Sequence, residues 1–292
     1  MPPQVSLIAS SVRPQLYPAI FKSLEGTSVS TEVVFAGNVS GFGEYENQWN
    51  KYIKTENIKP SQCYEIARRH ATGEVVLWTA DDVEYPNDVL GKAYRYWKSQ
   101  NNEKLILSLQ TKETGYNVPT GKMFDIGIHR FYGGCPAEPY NPLMAPIGMM
   151  SREYLDKLGG IDRRYVCGQY ENDIVMRAMA DGGKVEIVGD ATCYIDIDHL
   201  GKSIMLGESN NEEDFLKRPF ASGYSVDRGV LERSWVKFNQ LNLIKILQSG
   251  RNRFEIYPTE IYDVLKKRND QFEPYEDTDI LTKSQSNTGR WE

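Results

Sequence analysis

Residues 75–86 read Val-Val-Leu-Trp-Thr-Ala-Asp-Asp-Val-Glu-Tyr-Pro, an apolar run that ends in a cluster of carboxylates. Four largely apolar residues are typical of a strand that is buried on both faces, and open α/β sheets bind ligands just beyond the carboxyl ends of such strands. Asp81, Asp82 and Glu84 therefore stand where a ligand is expected. Because neighbouring acids repel one another, a divalent cation or a set of donor groups has to neutralise them, and a cation is the simpler explanation. The alternative is an acidic turn that caps a helix after Pro86.

The chain on either side of this stretch alternates between strand-like and helix-like runs. The strand-like runs are residues 5–9, 32–36, 75–78 and 105–110, and the helix-like runs are 16–24, 61–71, 151–158 and 171–180. This alternation is typical of βαβ units, whose right-handed crossovers place the strands in one mostly parallel sheet. The loops after Ala9, Ala36 and Trp78 then meet at the carboxyl edge of the sheet, where we expect a nucleotide pocket.

Composition narrows the classes of function. A chain of 292 residues with 40% hydrophobic content can bury the core of a large domain. A net charge of -6 without a concentrated Lys/Arg run argues against a general nucleic-acid binder and favours small-molecule partners. The four cysteines show no Cys-x-x-Cys spacing, so they indicate neither a zinc site nor a disulfide framework. No basic leader and no run of ~18 apolar residues is present, so we expect a cytoplasmic protein without a membrane span.

Two segments lack clear periodicity. Residues 115–146 are rich in glycine, proline and aromatic side chains, and a long irregular segment of this kind is usually functional. Beyond residue 204 the chain becomes polar, with an amphipathic run at 235–247 and a charged tail. We therefore predict one domain at residues 1–204 and a C-terminal helical extension at 205–292 that ends in a flexible tail.

Further motifs accompany the acidic stretch. They are Val-Ser-Leu-Ile at 5–8 with Ser-Val-Arg-Pro at 11–14, Glu-Ile-Ala-Arg-Arg at 65–69 with Ala-Thr-Gly-Glu at 71–74, and Gly-Gly-Ile-Asp at 159–162 with Glu-Asn-Asp-Ile-Val-Met-Arg at 171–177. In order and spacing they resemble the family-two glycosyltransferases and their relatives of the GT-A fold, up to about residue 203. The resemblance implies a Rossmann-like α/β fold with a mostly parallel central sheet flanked by helices. It also implies metal-dependent, inverting transfer of a sugar from a nucleoside-diphosphate sugar, with a UDP-sugar favoured, to a hydroxyl of a glycan or other acceptor.

The resemblance also implies a donor site. Its residues would be Ala9, Ser10, Ser11, Arg13, Asn38, Arg68, Asp81 and Lys202. The family's second strand usually ends in two aspartates, whereas Gly37 and Asn38 stand here; Asn38 can accept from a base imide, or the pair is simply a turn. We favour Arg68 over Arg69 because only one of two adjacent arginines faces the buried side, and a guanidinium fork suits a phosphate or a base edge. Lys202 would neutralise the leaving diphosphate, or it is a solvated lysine.

A metal site at Asp81, Asp82 and His199 follows from the same resemblance. The family's usual Asp-x-Asp motif would put an acid where Thr79 stands, so this chain keeps only the second half of the motif, plus Asp82. Oxygen ligands favour Mg²⁺ or Mn²⁺, and an imidazole ligand shifts the preference to Mn²⁺. The alternative for His199 is a strand end that is hydrogen-bonded to Asp198.

Two acids near the predicted start of the last helix complete the expected site. Glu171 matches the family's general base and Asp173 a second acid that binds acceptor hydroxyls, although the helix dipole alone would favour either acid there. If the base is not Glu171, Asp173 is the other candidate. We expect the acceptor to lie over residues 115–146.

Two other functions remain open. A GT-A protein that binds a sugar nucleotide but has lost turnover would explain the departures at Thr79, Gly37 and Asn38, because a fold alone does not establish activity. A sugar nucleotidyltransferase would share the sheet and the metal. The glycine-rich, basic loop that such an enzyme carries after the first strand is missing here, since residues 9–13 contain no glycine.

Overall fold

The computed structural model describes residues 2–55, 60–114, 124–125, 145–162, 165, 168 and 170–196. The strands in this part of the chain are β1 (Val5–Ser10), β2 (Thr31–Gly37), β3 (Asn50–Lys54), β4 (Val75–Trp78), β5 (Val83–Glu84), β6 (Leu105–Thr114), β7 (Phe124–Asp125), β8 (Gly148–Ser151) and β9 (Lys184–Asp196). The α-helices are α1 (Tyr17–Leu24), α2 (Pro60–His70), α3 (Val89–Ser99), α4 (Arg152–Lys157) and α5 (Tyr170–Ala180). Short 3₁₀ helices occupy Pro14–Leu16 and Gly43–Tyr45.

The strands form a single sheet in the order β3-β2-β1-β4-β8-β6-β9-β5, with β7 paired to β6. The strands β3, β2, β1 and β4 are mutually parallel, as the βαβ rhythm predicts. Beyond them β8 runs antiparallel to both β4 and β6, whereas β6 and β9 are parallel. The α/β class and the flanking helices are therefore confirmed, with one half of the sheet parallel and the other mixed.

The centre of the sheet is apolar because its strands are covered on both faces. All four residues of β4 are buried, as are the first five residues of β1. Trp78 ends β4 and donates its indole N–H to the carbonyl of Ala145 at 2.7 Å. A side chain at Gly148 of the neighbouring strand would overlap the Trp78 ring, since an added Cβ would lie 2.1 Å from Cζ2. Tight packing at this point fixes the strand that leads to the acidic stretch.

Several local expectations are met. The Ser151 side chain caps α4 by accepting from the backbone N–H of Tyr154, and α5 begins one residue before the predicted start. Strands β3, β5, β7, β8 and β9 were not predicted. The C-terminal extension at 205–292, and all but residues 124–125 and 145–146 of the segment 115–146, lie outside the described residues. Among those described, none of the helices combines the length and the apolar character of a membrane span.

Candidate functional site

Asp81 is bound by the loop that follows β1. Its Oδ2 accepts from the Ser11 hydroxyl at 3.0 Å and from the backbone N–H groups of Val12 at 2.8 Å and Arg13 at 3.0 Å. Its Oδ1 accepts from Nε of Arg13 at 2.9 Å and also from Nη2. The side chain is only 3% exposed. Donor groups of this chain therefore occupy the lone pairs of Asp81.

Arg13 also holds the second acid of the pair. Its Nη1 lies 2.7 Å from Oδ2 of Asp82, so one guanidinium bridges both carboxylates. Burial opposes the charge on Arg13, but the carboxylates of Asp82 and Asp81 outweigh it and raise the pKa of the guanidinium. Burial raises the pKa of Asp82, although Arg13 opposes that shift. Oδ1 of Asp82 is buried and has no hydrogen-bond partner among the described residues.

Thr79 is part of the interior and does not face an open site. Its side chain is buried, its hydroxyl is hydrogen-bonded to that of Tyr85, and its carbonyl accepts from the hydroxyl of Tyr64. Burial raises the pKa of Tyr85 well above its usual value, so this hydroxyl stays neutral. A carboxylate at position 79 would replace the hydroxyl that bonds Tyr85 and would be buried, and burying a charge is costly. This contact gives a structural reason for the departure from the Asp-x-Asp pattern.

Tyr64 connects the acid pair to the start of α5. Its ring lies 4.8 Å from that of Tyr170, and the two hydroxyl groups are hydrogen-bonded. Burial is the main cause that raises the pKa of Tyr64, and the charges of Asp81, Asp82 and Glu171 raise it further. All three acids are thus close enough to Tyr64 to influence its pKa. The structure brings Glu171, which directly follows Tyr170, to the same edge of the sheet as the acid pair.

Asp173 lies deeper than Glu171. Its carboxylate is fully buried and pairs with Nε of Arg177 at 2.9 Å. The guanidinium of Arg177 also donates to the carbonyls of Leu158 and Gly160. The Asp173–Arg177 pair therefore fixes the glycine turn at 159–160 against α5, and the structure does not bring Asp173 to an accessible surface.

The loops after β1 and β2 are tied together by Tyr52 of β3. The Tyr52 hydroxyl donates to the Ser11 carbonyl at 3.1 Å and accepts from the backbone N–H of Val39 at 3.2 Å. A Cβ at Gly37 would lie 1.9 Å from the Ser11 carbonyl oxygen and 2.6 Å from the Tyr52 hydroxyl. An aspartate cannot stand at position 37 unless this junction opens. The side chain of Asn38 is exposed just beyond it.

The structure places three of the other predicted donor residues at the end of β1 and Arg68 away from them. Ala9 and Ser11 are buried and Ser10 is half-buried, all at the carboxyl end of β1. Arg68 lies apart from them, near the start of β4. Its guanidinium pairs with the carboxylates of Glu65 and Asp156. Asp156 also pairs with Arg152, whose side chain donates to the carbonyl of residue 73, two residues before β4 begins. Lys202 lies outside the described residues.

Comparison with known proteins identifies the fold. No protein-family model and no curated protein sequence matches the chain. Among solved structures, Staphylococcus aureus TarS 1-349 in complex with UDP-GlcNAc matches with a TM-score of 0.52 and 14% identity, over 99% of this chain and 99% of that one. TarS 1-349 alone matches with a TM-score of 0.51 and 15% identity, over 96% and 94% of the two chains. The chain has the GT-A glycosyltransferase fold.

A second match extends this result beyond one neighbour. GalNAc-T7, solved with UDP, GalNAc and Mn²⁺, matches with a TM-score of 0.51 and 14% identity, over 66% of this chain and 44% of that one. Within the GT-A fold of this protein, the cluster of Arg13, Asp81 and Asp82 lies at the carboxyl ends of β1 and β4, the edge where α/β sheets bind ligands.

A divalent cation fits only part of this GT-A site. Across residues 2–55, 60–114 and the shorter described segments, no group of three or more His, Cys, Asp or Glu side chains is arranged to hold a metal ion. Asp82 fits a cation because its buried Oδ1 has no hydrogen-bond partner among those residues, whereas Asp81 does not, because its oxygens already accept five hydrogen bonds. His199 lies outside the described residues.

Sequence reasoning missed two residues of the site, Tyr64 and Tyr170. Both are tyrosines within helices, and nothing in the local pattern separates them from ordinary core aromatics. The only signal was adjacency, because Tyr170 directly precedes Glu171. Sequence reasoning also treated Arg13 as a donor ligand alone and did not foresee that it neutralises Asp81 and Asp82.

Proposed function

We propose that this protein is an inverting glycosyltransferase that moves a sugar from a nucleoside-diphosphate sugar to a hydroxyl of a glycan or other acceptor. One observation carries the proposal: in a GT-A fold, Tyr64 donates to the carbonyl of Thr79, just before the acid pair, and its ring lies 4.8 Å from that of Tyr170, which directly precedes Glu171. An acid pair for the leaving group and a separate acid for the acceptor are what direct displacement requires. That the neighbours were solved with UDP-GlcNAc and with UDP, GalNAc and Mn²⁺ supports a UDP-sugar as the donor.

The donor would lie along the loops after β1 and β2, against Ala9, Ser10, Ser11, Arg13 and Asn38. Arg13 offers the guanidinium fork that suits a diphosphate. We assign Arg68 a structural role because its guanidinium pairs with the carboxylates of Glu65 and Asp156. Lys202 remains a candidate for neutralising the leaving diphosphate.

Asp82 and His199 are the proposed ligands of Mn²⁺ or Mg²⁺. When bound, the metal would supply charge neutralisation for the departing diphosphate. Asp81 would position the loop that carries Ser11 and Arg13, since that loop supplies all five of its hydrogen bonds.

Glu171 is the proposed base for the acceptor hydroxyl. It is 4% exposed, so it is largely shielded from bulk water. Asp173 would hold α5 through Arg177 and so keep Glu171 in place. The hydroxyl oxygen would then attack the anomeric carbon as its proton passes to Glu171 and as the bond from that carbon to the diphosphate oxygen breaks, which releases the nucleoside diphosphate and gives a product of inverted configuration.

The test is release of nucleoside diphosphate from a panel of UDP-, GDP- and dTDP-sugars with glycan acceptors, with Mn²⁺ or with EDTA. We expect turnover with a UDP-sugar and Mn²⁺, and a product whose anomeric configuration, read by NMR, is opposite to that of the donor. A GT-A protein without turnover is the second candidate, because Thr79 and Gly37 are locked in structural contacts where the family has acids. Saturable, Mn²⁺-dependent binding of a UDP-sugar without transfer or hydrolysis would favour that candidate.

A further inference from the structure

Two tyrosine hydroxyls connect the start of α5 to the central sheet. The hydroxyl of Tyr64, on α2, donates to the carbonyl of Thr79, and the backbone N–H of Thr79 donates to the carbonyl of Ile8 in β1 at 3.0 Å. A hydroxyl has one proton, so Tyr64 must accept in the hydrogen bond that it shares with the hydroxyl of Tyr170. The two hydroxyls therefore form a directional chain from the first residue of α5 to the residue that follows β4.

This hydroxyl chain, formed by Tyr170 and Tyr64, is buried. Tyr64 is 9% exposed and Tyr170 is 6% exposed, and their rings lie 4.8 Å apart. Burial raises the pKa of Tyr64 above its usual value, so its hydroxyl keeps its proton at neutral pH and remains a donor to Thr79. Hydrogen bonds that are shielded from water are stronger than exposed ones. The hydroxyl chain can therefore fix a distance between two elements of the fold.

Each end of the hydroxyl chain lies next to a group of the proposed reaction. Thr79 stands two residues before Asp81, and Tyr170 directly precedes Glu171. In the proposed function the acids after β4 lie on the side of the leaving diphosphate, and Glu171 is the base for the acceptor. A misplacement of about 1 Å can slow a reaction about 10²-fold. The length of the hydroxyl chain therefore matters for turnover more than for donor binding.

Other contacts hold the middle and the end of α5. The pair of Asp173 and Arg177 fixes the preceding glycine turn against the helix. The hydroxyl of Tyr154, on α4, lies 3.3 Å from the carbonyl oxygen of Ala178 and 3.1 Å from Oδ2 of Asp181. A tyrosine hydroxyl from another helix thus contacts α5 at each end, but only the one at its start is connected to the residues before the acid pair.

We propose that Tyr64 and Tyr170 are positioning residues, whose hydroxyl chain sets the place of Glu171 relative to Asp81 and Asp82. Loss of either hydroxyl breaks the connection between the start of α5 and the sheet edge, so Glu171 moves relative to the leaving group. The loop after β1, which is proposed to bind the donor, contains neither tyrosine. This inference rests on the proposed function, because it needs Glu171 as the base.

The kinetic test removes one hydroxyl at a time. Tyr64→Phe and Tyr170→Phe should each lower kcat about tenfold, because the base is misplaced, and should leave donor affinity and donor KM unchanged. The double variant should lose no more than either single variant, because the two hydroxyls act as one unit. Initial rates over a range of donor concentrations and donor titration calorimetry measure these quantities.

Tyr154→Phe is the matched control for a purely structural effect. It removes a buried hydroxyl that contacts the opposite end of the same helix. We expect it to lower the melting temperature about as much as Tyr64→Phe does and to leave kcat unchanged. A loss of kcat in Tyr64→Phe and Tyr170→Phe no larger than that in Tyr154→Phe overturns the inference, as does a loss in the double variant equal to the product of the two single losses.

Amide hydrogen exchange tests the hydroxyl chain without reference to activity. In Tyr64→Phe and Tyr170→Phe, peptides that cover the start of α5 should exchange several-fold faster, whereas in Tyr154→Phe the faster exchange should appear at its end. Unchanged exchange at the start of α5 in both of the first two variants overturns the inference whatever the activity. Faster exchange there, with no sugar transfer by the wild type, supports the connection and overturns the glycosyltransferase assignment. Sugar transfer with the same kcat in all variants overturns the positioning role and leaves the assignment standing.

Discussion

Two arginines in this molecule each bridge two carboxylates, at opposite ends of β4. Arg13 joins Asp81 and Asp82 beyond its carboxyl end, and Arg68 joins Glu65 and Asp156 near its start. The Arg68 cluster is further stabilised because Glu65 also accepts from Arg69 at 2.9 Å and from the backbone N–H of residue 161 at 2.9 Å.

The difference between the clusters lies in how completely the acids are satisfied. In the Arg68 cluster, both oxygens of buried Glu65 have donors, and those donors connect α2 to the turn after α4. In the Arg13 cluster, one oxygen of Asp82 has no hydrogen-bond partner within the described residues. A fully satisfied network stabilises a fold, whereas an unsatisfied buried acceptor marks a place where a ligand can lower the free energy. The same pair of residue types thus forms a saturated network at one end of the strand and, at the other, a network in which one acceptor has no hydrogen-bond partner among the described residues.

The largest expected effect is the loss of turnover when Glu171 is replaced. Glu171→Gln should lower turnover by a factor of about 10² or more while donor affinity stays unchanged, because a base touches the acceptor and not the diphosphate. Initial rates and donor binding by calorimetry measure the two quantities. Glu153→Gln is the control, since Glu153 is an exposed acid in the first turn of α4. A large loss of donor affinity in Glu171→Gln would move Glu171 out of the acceptor side.

The second prediction concerns stability at the Arg68 cluster. Glu65→Ala should lower the free energy of unfolding by about 3–5 kcal/mol, because it removes a buried carboxylate that two arginines and a buried N–H share as an acceptor. Urea unfolding measures the change, and Glu25→Ala provides an exposed control. A loss below about 1 kcal/mol, the range of surface pairs, would show that this network is no more than a surface ion pair.

The third prediction separates the two acids held by Arg13. Asp81→Asn should lower the free energy of unfolding by about 2–3 kcal/mol, because it weakens the paired contact with the Arg13 guanidinium. Asp82→Asn should change it by no more than about 1 kcal/mol, because burial raises the pKa of Asp82 and the charged form therefore opposes folding above that pKa. The two variants serve as controls for each other in urea unfolding. Equal losses would contradict the unequal binding of the two acids.

The smallest expected effect is on donor binding by Arg68. Arg68→Met should leave the affinity for UDP unchanged in calorimetry on folded protein, because its guanidinium is engaged by Glu65 and Asp156 near the start of β4. A clear loss of UDP affinity would return Arg68 to the donor site and would break the distinction between the two clusters. Arg69→Met is the neighbouring control, since Arg69 shares Glu65 but not Asp156.

The sequence predicted an element of secondary structure correctly where residues within that element determine it. The apolar run before the acids predicted β4, Ser151 predicted a helix cap, and the acids of α5 predicted a helix start. Strands β3 and β8 were not predicted. Strand β3 is only partly buried, so its sequence lacks the apolar pattern of a buried strand. Strand β8 is a short buried run that lies beside an irregular segment. The pairing partners of β8, β4 and β6, lie far away in the chain.

By itself, the sequence determined the α/β class, the parallel half of the sheet and the edge at which acids gather, because buried strands and βαβ connections leave periodic signals in the chain. Only the tertiary structure decided which cation meets which acid. Arg13 and Asp81 are 68 residues apart, and Arg68 and Asp156 are 88 residues apart. An arginine has the same chemistry wherever it stands, so its role is set by the carboxylates that folding brings within reach of its guanidinium.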